Sequence, residues 1–125
     1  MKKSITVLVV EPHKKPYIKE IIPTLDVLQN EVDGYIQAIY PWEEPVAIIC
    51  DDEAKLKGKQ LNRALRDEDG QIYDVVAGTF LIVGLSDEDF DSLDADLVHQ
   101  FTKKFEVPEI FIRTEDKIVV IPMME

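Results

Sequence analysis

Side chains that could bind an anion surround one acidic turn of the sequence. The run Asp67-Glu68-Asp69-Gly70 is typical of a turn, because acidic side chains bond nearby backbone amides and glycine accepts a positive φ. The Arg63 guanidinium has the planar geometry that recognises carboxylate or phosphate. The candidate ligand- or partner-binding residues here are Asn62, Arg63, Asp67, Asp69, Tyr73 and Thr79. The alternative, which we favour, is a polar network that fixes the turn internally.

A second candidate is the proline-bracketed loop of residues 41–45, which carries Trp42 beside Tyr40 and two glutamates. A tryptophan in such a loop could be an aromatic anchor for a protein partner, since tryptophan is enriched among the residues that dominate binding energy. It could equally fold back onto the sheet. Both interpretations stay open at the level of sequence.

The third candidate is an acidic segment that could imitate a row of phosphates. Duplex DNA carries one charge per about 1.7 Å of its axis, so a rigid array of carboxylates could present a similar charge density. The acidic residues are Asp87, Glu88, Asp89, Asp91, Asp94 and Asp96. The alternative, which we favour, is a solvated helix start, because acids in a first helical turn are stabilised by the helix dipole.

Sequence patterns of common catalytic sites do not occur in the chain. It has no G-x-S-x-G elbow, no phosphate-binding G-x-x-x-x-G-K-[ST] loop, no H-E-x-x-H motif and no G-x-G-x-x-G spacing. His13 lies in a loop beside two lysines, and His99 lies roughly opposite the apolar face of a predicted helix. We therefore expect no enzymatic activity, no cofactor and no metal site.

Composition and net charge indicate which kinds of partner and which cellular location to expect. The 125 residues carry 14 basic and 25 acidic side chains, a formal net charge of −11. That charge disfavours direct binding to nucleic acids or anionic membranes, which need positive surface. The apolar runs are too short to span a bilayer, and the N-terminal segment lacks the features of a signal peptide. We expect a cytoplasmic protein.

The single cysteine, Cys50, excludes an internal disulfide. It follows an apolar run and precedes Asp51 and Asp52, whose negative charge disfavours a thiolate. We expect a buried, structural cysteine.

The elements that must position these residues indicate an α+β fold. Residues 4–10 and 78–84 are apolar on both pleat faces and predict central strands. Two helices are predicted, one entered at Pro23 and Thr24, the other carrying an apolar stripe at four-residue spacing. The order predicts a mixed β-sheet of about five to seven strands with a ββαββ-type start, packed against two main helices. A grasp-like sheet is one version.

Several local features complete this prediction. Gly34 is expected to end the first helix in a left-handed conformation, residues 61–66 to form a short helical turn, and the second helix to begin near Ser86. A closing hairpin is predicted near the C-terminus. With no linker or repeat, residues 1–125 are expected to form one domain. The predicted core residues are Leu8, Leu28, Phe80, Leu97 and Phe101.

Five segments resemble domain-of-unknown-function family 3846, over about residues 4–105: residues 7–12, 15–21, 34–36, 62–70 and 72–80. The tail, residues 106–125, lies outside the resemblance. Proteins of this family resemble small accessory proteins of phages, plasmids and conjugative elements. The resemblance brings no activity or site residue with it. It favours a host-directed or element-maintenance role by association alone.

Three functional hypotheses remain. The first is a non-enzymatic accessory protein that binds a protein partner. The second is a nucleic-acid-mimicking antagonist of a host DNA-binding or defence protein, and the third is a small-molecule or nucleotide binder built on Asn62, Arg63 and Tyr73. The partner's identity and the oligomeric state are left open by the sequence.

Overall fold

The computed structural model describes residues 3–123, which form ten strands and two helices. In chain order the elements are β1 (Ile5–Val10), β2 (Tyr17–Ile21), α1 (Leu25–Val32), β3 (Ile36–Ile39), β4 (Val46–Asp51), β5 (Leu61–Arg66), β6 (Ile72–Ala77), β7 (Phe80–Leu85), β8 (Phe90–Asp91), α2 (Ala95–Lys104), β9 (Glu109–Arg113) and β10 (Ile118–Pro122).

The main sheet has six strands in the order β2-β1-β7-β4-β3, with β8 beside the end of β7. Its three middle strands, β1, β7 and β4, consist almost entirely of buried residues. This is the expected consequence of covering both faces of a sheet, since neither face can then be polar. One face packs on α1 through Leu28 and Val32, and the other packs on Phe101 and Phe105.

The α+β class, the strand number and the two covering helices are confirmed. The pairings differ from a mixed sheet in one respect, because every strand pair among residues 3–123 is antiparallel. A grasp-like pairing of parallel strands is therefore not formed by these residues. Among the predicted core residues, Leu8, Leu28, Phe80 and Phe101 are buried, whereas Leu97 is partly buried and packs against the core.

The ends of α1 match the prediction at one terminus only. The Thr24 hydroxyl accepts a hydrogen bond from the Val27 amide and caps the N-terminus as predicted. The left-handed residue at the other end is Asp33 (φ 56°), not Gly34. Gly34 is required for a different reason: a Cβ there would lie 2.4 Å from the carboxyl carbon of Asp51.

The start of α2 was also predicted wrongly. The helix begins at Ala95, and the Asp94 carboxylate caps it by accepting from the Leu97 amide. The acidic residues before Asp94 lie in a turn and in the short strand β8, where Asp89 and Asp91 accept hydrogen bonds from the following amides. Asx side chains satisfy local amides in this way, which competes with helix formation.

Two antiparallel ribbons complete the molecule. Residues 61–66 form strand β5, which pairs with β6 across the predicted acidic turn, so the short helical turn expected there was wrong. The predicted C-terminal hairpin is the β9–β10 ribbon. Among residues 3–123, no helix is long and apolar enough to cross a membrane.

Candidate functional site

The side chains of Asn62 and Arg63 lie in the interior and form one hydrogen-bond network. Asn62 donates through Nδ2 to the carbonyls of Val10 (2.9 Å) and Gly78 (2.8 Å). Its Oδ1 accepts from Arg63 Nη1 at 2.7 Å. The network therefore connects β5 to the last residue of β1 and to the turn between β6 and β7.

The Arg63 guanidinium uses all five of its N–H groups inside the protein. Nε and Nη2 donate to the carbonyl of Phe105 at 3.2 and 3.0 Å. Nη2 also donates to Lys14 O at 2.7 Å, and Nη1 donates to both oxygens of Asn62. Burial lowers the pKa of Arg63, and the charge of Glu109 opposes that shift. With 1% of its surface exposed, Arg63 has no donor left for a ligand.

The remaining residues of the first candidate set do not join this network. Asp67 closes the β5–β6 turn by accepting from the amides of Asp69 and Gln71. Asp69 and Tyr73 are exposed, while Thr79 is half-buried before β7. The six residues are thus divided between an interior network and an exposed turn and strand, and they do not form one pocket.

Trp42 folds back onto the core. Its ring lies 4.6 Å from that of Phe101 and 6.0 Å from that of Phe105, and Lys104 Nζ lies 5.7 Å from its centre. The exposed aromatic residue of this region is Tyr40. Of the two interpretations of this loop, these contacts agree with the one in which the tryptophan packs on the protein.

The six acidic residues are exposed but distributed over several elements. Asp87, Glu88 and Asp89 lie in the turn between β7 and β8, Asp91 lies in β8, and only the last two belong to the cap and first turn of α2. The segment is therefore not a continuous helical row of carboxylates. His99 is exposed on α2, as predicted.

Cys50 is buried at the sheet, as predicted. Burial raises its pKa to about 11, with further contributions from Asp51, Asp74 and Asp52. The thiol is thus protonated and unreactive at neutral pH. Among residues 3–123, no group of three or more His, Cys, Asp or Glu side chains could hold a metal ion.

An open groove of about 890 Å³ lies between strand β6 and the β9–β10 ribbon. Its apolar walls come from partly exposed side chains on both ribbons. These are Ile72, Tyr73, Ile110, Phe111 and Ile118. A contiguous apolar surface of this kind on a water-facing ribbon typically marks an interaction site. We call this feature the ribbon groove.

Four of the residues that line the ribbon groove carry formal charges. Lys55 and Lys59 come from the loop before β5, and Arg113 comes from the end of β9, whereas Asp74 is the single carboxylate among the lining residues. Lys55 is paired with Asp74 at 2.8 Å. In residues 3–123, no hydrogen bond or ion pair engages the Arg113 guanidinium. The groove is thus a cationic area of an acidic protein.

The loop that supplies the lysines is anchored by the buried carboxylate of Asp51. Lys59 Nζ lies 2.7 Å and Lys57 Nζ 2.9 Å from Asp51 Oδ2, and the Glu53 amide donates to Oδ1. Burial alone would raise the pKa of Asp51, but these hydrogen bonds and the charge of Lys59 outweigh it and lower the value to about 2. Lys59 also donates to the carbonyls of Val32 and Asp33.

The opposite wall is anchored by Glu109, at the start of β9. Its Oε1 accepts from the Ala64 amide at 2.9 Å and its Oε2 pairs with Arg66 Nη2 at 2.7 Å. Glu109 is buried against β5 although it is the first residue of an otherwise exposed ribbon. Buried carboxylates therefore hold both the β9–β10 wall of the ribbon groove, through Glu109, and the lysine-bearing loop beside it, through Asp51.

A smaller cavity of about 220 Å³ lies beside Trp42, Arg66 and Lys104. Its cationic character is reduced because Arg66 is already paired with Glu109 and the Arg63 donors are all used internally. This cavity therefore offers less to a ligand than the ribbon groove does.

Of the candidate residues taken from the sequence, only Tyr73 lines the ribbon groove. Sequence reasoning missed Lys55, Ile110, Phe111 and Arg113. A signal was present in the tail, where residues 110–112 and 118–121 are aliphatic or aromatic on both pleat faces. A two-stranded ribbon cannot bury both of its faces on its own, so this pattern indicates an exposed apolar surface.

Comparison with known proteins gives one match. Residues 5–106 match the family described as "Domain of unknown function (DUF3846)", in agreement with the resemblance noted in the sequence. No match was found among curated proteins or among solved structures.

Proposed function

The chain belongs to the DUF3846 family, whose description states no activity, and we propose that it is a non-enzymatic module that binds a protein partner through the ribbon groove. The observation that carries this proposal is the exposure of large apolar side chains along the groove. Tyr73 is 54% exposed, Ile72 44% and Ile118 40%, and all three line the ribbon groove. Exposed aromatic and aliphatic residues that line a concave surface are typical anchors of protein interfaces.

The shape of the groove favours a macromolecular partner over a metabolite. Small-molecule sites enclose most of the ligand and direct several polar groups at it. The ribbon groove is open, and three of the four charged side chains that line it, Lys55, Lys59 and Asp74, are already paired within the protein. The donors of Asn62 and Arg63, on which the small-molecule or nucleotide hypothesis is built, are used inside the protein.

The wider biological role in this proposal is that of a small cytoplasmic accessory protein, which acts by occupying a partner and not by chemistry. The net charge of −11 supports a protein partner over direct contact with nucleic acid, because nucleic acids would be repelled. The proposal that the gene for this protein is carried on mobile genetic elements rests on the family resemblance alone.

The test is a selection of short random peptides displayed on phage against the immobilised protein. Enriched peptides are synthesised and their affinities measured by fluorescence polarisation for wild type, Tyr73→Ser and Tyr40→Ser. Tyr40 is the matched control, because it is an equally exposed tyrosine outside the groove. We expect Tyr73→Ser to weaken binding about five-fold or more, as loss of an interface aromatic does, and Tyr40→Ser to leave it unchanged.

Circular dichroism and thermal melting of both variants show whether each remains folded. Peptides that bind equally well to wild type and to Tyr73→Ser would contradict the proposed site. A selection that enriches no peptide dependent on the groove would contradict the proposed function.

A further inference from the structure

We infer that the ribbon groove takes an extended segment of the partner protein, which lies along the outer edge of β6 and carries apolar side chains together with at least one carboxylate that pairs with Arg113. This inference rests on the proposed function and specifies the chemistry and conformation of the bound segment.

The extended conformation follows from which residues line the groove. Four consecutive residues of β6, from Ile72 to Val75, are in contact with it. Successive side chains of a strand point to opposite faces, so a groove that touches all four follows the edge of the strand and not one face. Within residues 3–123, β6 pairs as a strand only with β5. Its other edge has no strand beside it, and along that edge the Asp74 carboxylate accepts from the Val75 amide, a bond that an added strand would replace. Addition of a strand to such an edge is a common way of binding peptides.

The acidic character of the segment follows from charge. The chain as a whole has 14 basic and 25 acidic residues, yet the lining of the groove includes Lys55, Lys59 and Arg113 and, of the carboxylates, Asp74 alone. Lys55 and Lys59 are engaged by acids of the protein itself. Arg113 is exposed and has no partner within residues 3–123. It is thus the cation that a carboxylate of the bound segment would meet, and guanidinium pairs with carboxylate in a bidentate geometry.

A second copy of the chain is a poorer occupant. Two molecules of net charge −11 repel each other at low ionic strength, so bringing two copies together costs electrostatic free energy. Binding a short acidic segment of a neutral or basic protein does not carry this cost. A nucleic acid would meet the same repulsion over the rest of the surface. The groove therefore favours a local acidic segment over an acidic macromolecule.

The charge test uses the synthetic peptides enriched by the selection described above. Their affinities are measured for wild type, Arg113→Glu and Lys117→Glu. Lys117 is exposed in the turn of the same hairpin but does not line the groove, so its reversal changes the net charge by the same amount. We expect Arg113→Glu to weaken binding about five-fold or more at low ionic strength, with a smaller difference at high salt. Lys117→Glu is expected to have little effect.

The conformation test replaces each peptide amide in turn by its N-methyl form, which removes one backbone donor. Strand addition predicts that affinity falls about ten-fold at alternate positions and changes little at the positions between them, because only alternate amides of a strand face its neighbour. Enriched sequences should combine Asp or Glu with branched or aromatic residues.

These results can refute the inference without refuting the proposed function. Peptides whose binding depends on Tyr73 but that contain no acidic residue, or that bind Arg113→Glu as tightly as wild type, would overturn the charge assignment. The proposal that the groove binds a protein partner would still stand. A loss pattern with a period of three or four residues would overturn the extended conformation. Dimerisation of wild type in sedimentation, abolished by Tyr73→Ser, would identify a second copy as the occupant and refute the inference.

Discussion

Replacing Arg63 by methionine should destabilise the protein strongly, although arginine is ordinarily a surface residue. The substitution keeps most of the aliphatic volume and removes the guanidinium. Carbonyl groups of three different segments then lose their donors: those of Lys14, Phe105 and Asn62. These segments are the β1–β2 loop, the C-terminal end of α2 and β5 itself.

The magnitude follows from the number of acceptors left unpaired. Four acceptor atoms lose a donor: the three carbonyl oxygens and Asn62 Oδ1. A buried polar atom without a partner costs about 1–3 kcal/mol, and solvent entry at Lys14 and Phe105 would relieve part of the total. Removing one partner from a buried charged network costs about 3–5 kcal/mol in other proteins, which we expect here. For a domain of this size that corresponds to a fall in melting temperature on the order of 10 °C or more.

The assay is urea unfolding followed by circular dichroism, with Arg66→Met as the matched control. Arg66 is the neighbouring arginine of β5, half-exposed and held by Glu109 alone. Its substitution removes one donor where Arg63→Met removes five, but it leaves Glu109 Oε2 buried without its partner, so it should cost about 1–3 kcal/mol. A melting temperature of Arg63→Met within about two degrees of wild type would refute the structural role of Arg63, and it would restore the interpretation of this residue as an anion-binding group.

Three further predictions concern the core, the hairpin and pH. Phe80 is fully buried and packs edge-to-face against Phe105, so Phe80→Ala should lower the free energy of unfolding by about 3–5 kcal/mol; a change below about 1 kcal/mol in urea unfolding would contradict this. Glu109→Ala should speed amide hydrogen exchange in β9 and β10 more than in the main sheet, because the Ala64 amide and Arg66 lose their partner; equal exchange would show that Glu109 does not anchor the ribbon. The pKa of Asp51, about 2 against an ordinary 3.8, lies below its unfolded value, so its contribution to stability is complete above about pH 4 and is lost as the pH falls towards 2. Asp51→Asn should flatten acid unfolding in that range, and an unchanged pH profile would contradict the assignment.

The main sheet could be predicted because its strands are apolar on both faces. In β1 and β7 nearly every residue is buried, and such runs predict central strands without reference to partners. The failures lie where polar residues decide local structure. Residues 61–66 are predicted to form a short helical turn, yet they form a strand in which the Asn62 and Arg63 side chains are buried by bonds to residues distant in the sequence. A single-sequence pattern contains no information on such partners.

The two helix ends show the same limit. Glycine is the usual left-handed residue after a helix, and Gly34 was assigned that role, but Asp33 adopts it and Gly34 instead makes room for the Asp51 carboxylate. The acidic run before α2 was interpreted as a helix start, since acids favour that position. The first four of its six acids are used in a turn and in β8, where two of them bond the following amides. Composition alone does not separate these uses of aspartate.

The candidate site depends on a part of the chain that the family match does not include. The match ends at residue 106, and the Arg63 network also ends there, at Phe105, so these residues close the core without the hairpin. The second wall of the groove and Arg113 lie beyond that point, and Glu109 attaches them to β5 through a backbone amide and one arginine. Substitutions in the exposed face of the hairpin can thus change the groove's charge and shape while the buried network stays intact. In this protein the determinants of stability and the proposed determinants of partner choice are therefore carried by different segments, which is why Arg63 and Arg113 are expected to respond so differently to substitution.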